Sequence, residues 1–215
     1  MNTIEFWFDF GSNYSYLTMM RIRQLALDAG VQVVLKPFLL GPIFKAQGWA
    51  TSPFVLQAAK GRYVWRDMER QCMKYGLRWR RPSVFPRNGL LAARVALQGE
   101  GAAWQFAFCE RVMLANFADD REIGDEAVIS GILAGLGLDS GAIIAAAQGD
   151  ACKAELRART EAAQSRGIFG APMFFVGDEM FWGNDRLEDA LVLAGRTNSL
   201  APLGKNMRSR DPLDG

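Results

Sequence analysis

The sequence predicts an α/β protein whose sheet is assembled from the two ends of the chain and split by an inserted all-helical segment. Three observations predict it. Ile4-Glu5-Phe6-Trp7-Phe8-Asp9-Phe10 is an apolar strand, followed by a helical pattern and then a second strand at Val31-Gln32-Val33-Val34-Leu35-Lys36. A strand–helix–strand unit of this length implies a parallel, right-handed crossover. Residues 41–167 are then patterned mostly as helices, and a strand pattern returns only at Ile168. Neither β segment makes a stable sheet alone, so the two must meet.

Taken in order, the first strand spans about Thr3–Phe10 and is too continuously apolar for a half-exposed edge, which makes it central. Gly11 turns the chain and Ser12 opens a helix. An amphipathic run follows from Leu17 to Ala29, with Leu17, Met20, Ile22, Leu25 and Leu27 on a broad apolar face, and Gly30 serves as the C′ glycine. Pro37 limits pairing beyond the second strand. Pro42 to Pro53 is irregular or briefly helical. Lys60–Tyr75 is a helix with Val64, Met68, Cys72 and Tyr75 on one face and Gly76 at its end. Trp79 to Pro86 is a basic, proline-flanked loop.

Further helices are expected at about Arg87–Leu97, Ala102–Asn116, Asp125–Leu136, Ser140–Gln148 and Ala151–Arg166, with Asp125 and Asp139 in cap signals. Ile168 to Val176 is a strand, Gly177-Asp178 a hairpin turn and Glu179–Trp182 the return strand. Asn184 or Asp185 caps a last helix that runs to about Leu193. The sheet domain is thus expected from residues 1–40 and 168–200, the helical domain from 41–167, and a disordered tail from 201–215.

Half of the 215 residues are hydrophobic, enough for a sizeable core, and the net charge of +2 provides no broad field for nucleic acid or membrane. No apolar run reaches the roughly 18 residues needed to span a bilayer. Glu5 and Asp9 stand where a signal peptide would carry its basic region, so none is expected. Cys72, Cys109 and Cys152 are odd in number and far apart, without CxxC or zinc spacing, which points to a reduced, cytoplasmic protein. The chain has no histidine, which removes Ser-His-Asp triads and nearly all zinc enzymes. Ser12 therefore lacks a base that would make it a nucleophile. At a helix start it is either a plain N-cap or a hydroxyl that donates to a bound anion.

The segment Phe8-Asp9-Phe10-Gly11-Ser12-Asn13-Tyr14-Ser15-Tyr16-Leu17 resembles the DFxSPYSYL segment of 2-hydroxychromene-2-carboxylate isomerases and kappa-class glutathione transferases. The stretches Phe169-Gly170-Ala171-Pro172 and Gly177–Leu187 are similar to the FGxPT…GxxxWGxDR segment of the same families, and Lys60-Gly61-Arg62-Tyr63 also fits. The resemblance covers about residues 3 to 195. It implies a thioredoxin-like sheet domain with a helical insertion, glutathione as cofactor, and a homodimer. Three departures stand out. Asn13 replaces the usual proline, Met173 replaces the usual threonine, and the Gly48–Pro53 stretch lacks the asparagine that often contacts the ligand there.

The resemblance also implies roles. Ser12 and Ser15 occupy the positions of the redox relatives' CxxC, so disulfide exchange is excluded. Ser12 would donate to the glutathione thiolate, lowering its pKa by about one to three units through one charge-assisted hydrogen bond and the helix dipole. Pro172 would be cis and face Ser12, leaving Ala171 to pair with the peptide. Asp185 would pair with the γ-glutamyl ammonium, Asn184 and Gly183 would open the last helix to its carboxylate, and Trp182 would flank it. Lys60 is either a partner for a glutathione carboxylate or a solvated lysine. Thr51 stands in for the missing asparagine. Lys45, Trp49, Thr51 and Phe85 are candidates for an aromatic keto acid.

Arg78, Arg80 and Arg81 form a solvated basic loop or steer carboxylates, and Trp65 is expected between the helical and sheet parts. The leading expectation is a glutathione-dependent cis–trans isomerase of 2-hydroxychromene-2-carboxylate or a similar aromatic-degradation acid. The alternatives are a kappa-like glutathione transferase and a non-catalytic peptide-binding module.

Overall fold

The computed structural model describes residues 2–196; the tail expected at 201–215 lies outside them. β1 (Thr3–Phe8) leads through α1 (Asn13–Asp28) to β2 (Gln32–Pro37). The helices α2 (Leu40–Ala46), α3 (Pro53–Leu56), α4 (Ala58–Tyr75), α5 (Leu90–Gln98), α6 (Gln105–Phe117), α7 (Glu126–Ala134), α8 (Ser140–Gln148) and α9 (Asp150–Ser165) follow. The hairpin β3 (Met173–Val176) and β4 (Glu179–Trp182), a 3₁₀ turn at Asn184–Arg186 and α10 (Leu187–Arg196) close the described chain.

The four strands form one mixed sheet in the order β2-β1-β3-β4. β1 is parallel to β2 and antiparallel to β3, with Phe6 opposite Leu35 and Phe174. Its central place follows from its composition, because both faces are covered. Ile4, Phe6 and Phe8 join Phe174, α1 and α10 in one large apolar cluster that continues into the helices. Trp7 points the other way, with Phe38, Ile43, Ala163, Met173 and Phe175, under α2 and α9. This alternation is the period of two of a strand buried on both sides.

Several boundaries differ from expectation for local reasons. β1 stops at Phe8 because Asp9 leaves the ladder. The Asp9 carboxylate takes the N–H groups of Gly11 at 2.6 Å and Leu40 at 2.7 Å, and its carbonyl takes the Ser12 N–H at 3.0 Å. α1 begins four residues before the amphipathic run, at Asn13, and buries Tyr16 to Met19 on more than one face, whereas Leu27 is exposed. Leu27 lies five residues after Ile22, which places it about 140° around the helix.

β3 starts only at Met173, after Pro172. α5 starts at Leu90 because Arg87 is drawn inward to Asp120. The last helix is not capped by Asn184 or Asp185. Gly183 holds the cap position of the 3₁₀ turn without a side-chain bond, and the Asn184 amide is turned toward α1. Trp65 packs against the large apolar cluster; it stacks on Trp79 at 6.1 Å and meets Phe85 edge-on at 4.7 Å, both in the loop after α4, and lies under Arg81. In the same loop Arg78 pairs with Asp119 at 2.5 Å and Arg80 with Asp120 at 3.8 Å.

Candidate active site

A cavity of about 1130 Å³ opens where β1 ends and α1 begins. Its floor is built by the β1–α1 turn. Asp9 holds Gly11 and Ser12 in place, and Gly11, Ser12, Asn13 and Tyr14 line the cavity at the helix start. Ser12 caps α1: its Oγ accepts the Ser15 N–H at 3.2 Å. The same hydroxyl donates to the carbonyl of Ala171 at 3.2 Å, across from the cis Ala171–Pro172 bond. Cap and donor are therefore compatible functions of one oxygen, since the acceptor lone pair serves the helix and the proton faces the cavity wall.

Every residue assigned above to glutathione borders this cavity. Thr51 comes from the loop before α3, and Lys60 from the first turn of α4, with its ammonium 5.9 Å from the Phe54 ring centre. The turn after β4 brings Gly183, Asn184 and Asp185. Trp182 stands half-exposed at the rim, edge-on to Phe169 at 4.9 Å. Gly170 makes that placement possible, since a Cβ there would lie 2.7 Å from the indole Nε1. Among the residues assigned to the aromatic substrate, Trp49 and Phe85 border the cavity, and Trp49 packs against Phe44 at 5.6 Å. Lys45 does not. α2 turns it to solvent, outside the cavity wall, because Ile43 is the side buried against the sheet.

Three features of the wall escaped the sequence reading. Asp9 is one, and burial pushes its carboxyl pKa up against the two backbone N–H bonds that hold it down. A charged residue at the end of an apolar strand was the available signal. The second is Tyr14, whose phenol donates to Asp67 at 2.7 Å; burial first, and then the Asp67 carboxylate, raise its pKa. The third is Arg87, which follows the cis Phe85–Pro86 bond and is buried and bonded to Asn116 Oδ1 at 3.1 Å, Ser83 Oγ at 3.1 Å and Asp120. Partners 53 or 33 residues apart leave no local pattern.

The chemistry on offer is a hydroxyl donor at a helix start, a phenol–carboxylate pair, one exposed lysine and an aromatic wall. Among the described residues no group of three potential metal ligands occurs. No described helix is long and apolar enough to cross a membrane.

A family model described as a DSBA-like thioredoxin domain matches residues 3–192. The chain is 32% identical over 188 residues to a 2-hydroxychromene-2-carboxylate isomerase of Sphingobium xenophagum, covering 86% of this chain and 94% of that one. It is 31% identical over 186 residues to a protein of the same name from Pseudomonas putida, covering 86% and 90%. A solved 2-hydroxychromene-2-carboxylate isomerase superposes with a TM-score of 0.82 at 28% identity, covering 92% of this chain and 98% of that one. A cytosolic disulfide reductase from Pseudomonas aeruginosa, at 16% identity and a TM-score of 0.66 over 93% and 100% of the chains, shares the fold.

Proposed function

The chain belongs to the DSBA-like thioredoxin family, and from that premise we propose that it is a glutathione-dependent cis–trans isomerase. Its substrate is 2-hydroxychromene-2-carboxylate, a cyclic hemiketal in exchange with its ring-opened keto acid, or a similar aromatic-degradation keto acid. One observation carries the reading: the Ser12 hydroxyl faces the cis-proline strand across a ligand-sized cavity in a redox scaffold that has serine at both redox positions. A site that keeps the anion-favouring helix start but lacks its own sulfur is suited to a sulfur brought by a ligand. The isomerases that the chain resembles supply the substrate class.

In this reading the Ser12 O–H turns from Ala171 to the glutathione sulfur while its lone pair still caps α1. The cyclic hemiketal first opens: its ring C–O bond breaks, the 2-hydroxyl oxygen becomes the ketone and the proton passes to the phenol oxygen. The thiolate then adds to the conjugated carbon of the opened keto acid, and the electron pair moves to the ketone oxygen as an enolate. The former double bond is now single and rotates. The enolate then expels the thiolate, which restores the double bond in the trans isomer and leaves glutathione unchanged. Trp49 and Phe85 offer ring surface to the aromatic part. Lys60 faces a glutathione carboxylate and Asp185 its ammonium. A homodimer and a cytoplasmic setting belong to the same proposal; the three buried free cysteines suit a reducing compartment.

The test is turnover with substoichiometric glutathione, followed by chromatography of both thiol and product. Many turnovers per glutathione and full thiol recovery are expected. Consumption of one glutathione per product would instead establish a transferase.

A further inference from the structure

The turn that carries Gly183 and Asp185 has no cap of its own, yet it is the part of the wall that must meet a charged group of the ligand. Gly183 has φ 108°, a backbone region that side chains avoid, and its N–H donates to the Pro172 carbonyl at 3.0 Å. No side chain caps the 3₁₀ turn that follows. Asp185 is exposed and pairs with its neighbour Arg186 at 3.0 Å. Its position therefore depends on what holds the residue between them.

That residue, Asn184, is 4% exposed. Its Oδ1 accepts from Arg21 Nη1 at 2.9 Å and from Thr18 Oγ1 at 3.3 Å, both on α1. Its Nδ2 reaches the Tyr75 hydroxyl on α4 at 3.5 Å. The Arg21 guanidinium lies over the Tyr75 ring, 3.7 Å from its centre, and its second nitrogen pairs with Glu188 on α10. One planar cation thus ties α1, α4, α10 and the turn together, a geometry that a lysine does not reproduce.

We propose that Arg21 is a positioning residue for the glutathione subsite, fixing through Asn184 the turn that presents Asp185 to the ligand's ammonium. The proposal rests on the glutathione reading above. Arg21 touches no ligand itself. It sets where a neighbouring charge stands, so its loss moves binding and leaves the sulfur chemistry at Ser12 alone.

The experiment is calorimetric titration with glutathione, paired with steady-state kinetics, on Arg21→Met, Asp185→Ala and their combination. Arg21→Met is expected to raise the glutathione Kd about five- to tenfold, with kcat at saturating glutathione kept within about twofold. The double variant is expected to bind within about twofold of Asp185→Ala, because a brace has nothing left to position once the carboxylate is gone. If Asp185→Ala weakens binding but Arg21→Met does not, or if the two losses multiply, the positioning role is overturned while the subsite stands. If Asp185→Ala leaves binding unchanged, the subsite and its brace fall together. Should Arg21→Met not fold, Arg21→Lys serves in its place, with a loss in the same direction of about two- to fivefold expected and an unchanged Kd overturning the role.

Discussion

Removing the Ser12 hydroxyl tests the thiolate device with two variants that differ in one respect. In Ser12→Ala the bound thiol loses a charge-assisted hydrogen bond, about 1.5–3 kcal/mol. At 1.36 kcal/mol per unit this raises the pKa of the bound glutathione thiol by about one to two units. The helix dipole, about 0.3–1 kcal/mol, remains. At neutral pH the thiolate fraction then falls from a majority to roughly a tenth or less. The same substitution removes the cap that Ser12 Oγ provides to the Ser15 N–H, which costs about 0.5–2 kcal/mol. For a chain of this size that lowers Tm by about 1–8 °C.

Ser12→Gly separates the two effects. Glycine is a tolerable N-cap, within a few tenths of a kcal/mol of serine, but it has no proton to donate. Both variants should show the same rise in thiol pKa, and only Ser12→Ala the full loss of Tm. The assay is ultraviolet thiolate absorbance of the glutathione complex against pH, beside a thermal melt. A bound-thiol pKa in both variants equal to that of the parent protein would falsify the hydroxyl's role, whatever the melts show.

Three further outcomes concern Trp49, Lys45 and Asp120. Trp49→Ala should raise the KM for the aromatic substrate about three- to tenfold with glutathione affinity unchanged, since a ring contact of this kind contributes about 0.5–1.5 kcal/mol. Lys45→Ala should change neither quantity, and a clear rise in substrate KM would return Lys45 to the site. The Ser83 N–H, then Arg87, hold the Asp120 carboxyl at about 2, below its ordinary 3.8. A depressed pKa favours the folded state above the unfolded value, and that contribution is lost as pH falls from about 4 toward 2. Asp120→Asn should therefore flatten the acid limb of stability in that interval, measured by denaturant midpoints at stepped pH. An equally steep limb in the variant would show that Asp120 is not the group concerned.

The α4 face of Val64, Met68 and Cys72, the left-handed Gly76, the Asp125 and Asp139 caps and the Glu179–Trp182 return strand were all legible, because each depends on neighbours within a turn or a rung. Strand and helix ends were less so. Phe10 is as apolar as Phe8, yet only the second pairs in the sheet, because the Asp9 carboxylate is engaged by Leu40. Lys45 was misplaced for a related reason. Periodicity states that a side chain faces inward or outward, but not which of several apolar surfaces it meets, nor on which side of a wall it ends.

The sequence by itself determined the strand–helix–strand opening, the hairpin return and the helical stretch between them, and it excluded histidine chemistry and an internal disulfide pair at the helix start. These follow from composition and short-range periodicity. Only the tertiary structure decided that Ser12 would point at Ala171, 159 residues away, and that Tyr14 would meet Asp67. It alone placed the Asn184 amide against Arg21 instead of on its own helix. Those contacts depend on how four strands and their covering helices stack, and hydrogen-bond directions across such a packing are properties of the assembled core, absent from any window of the chain.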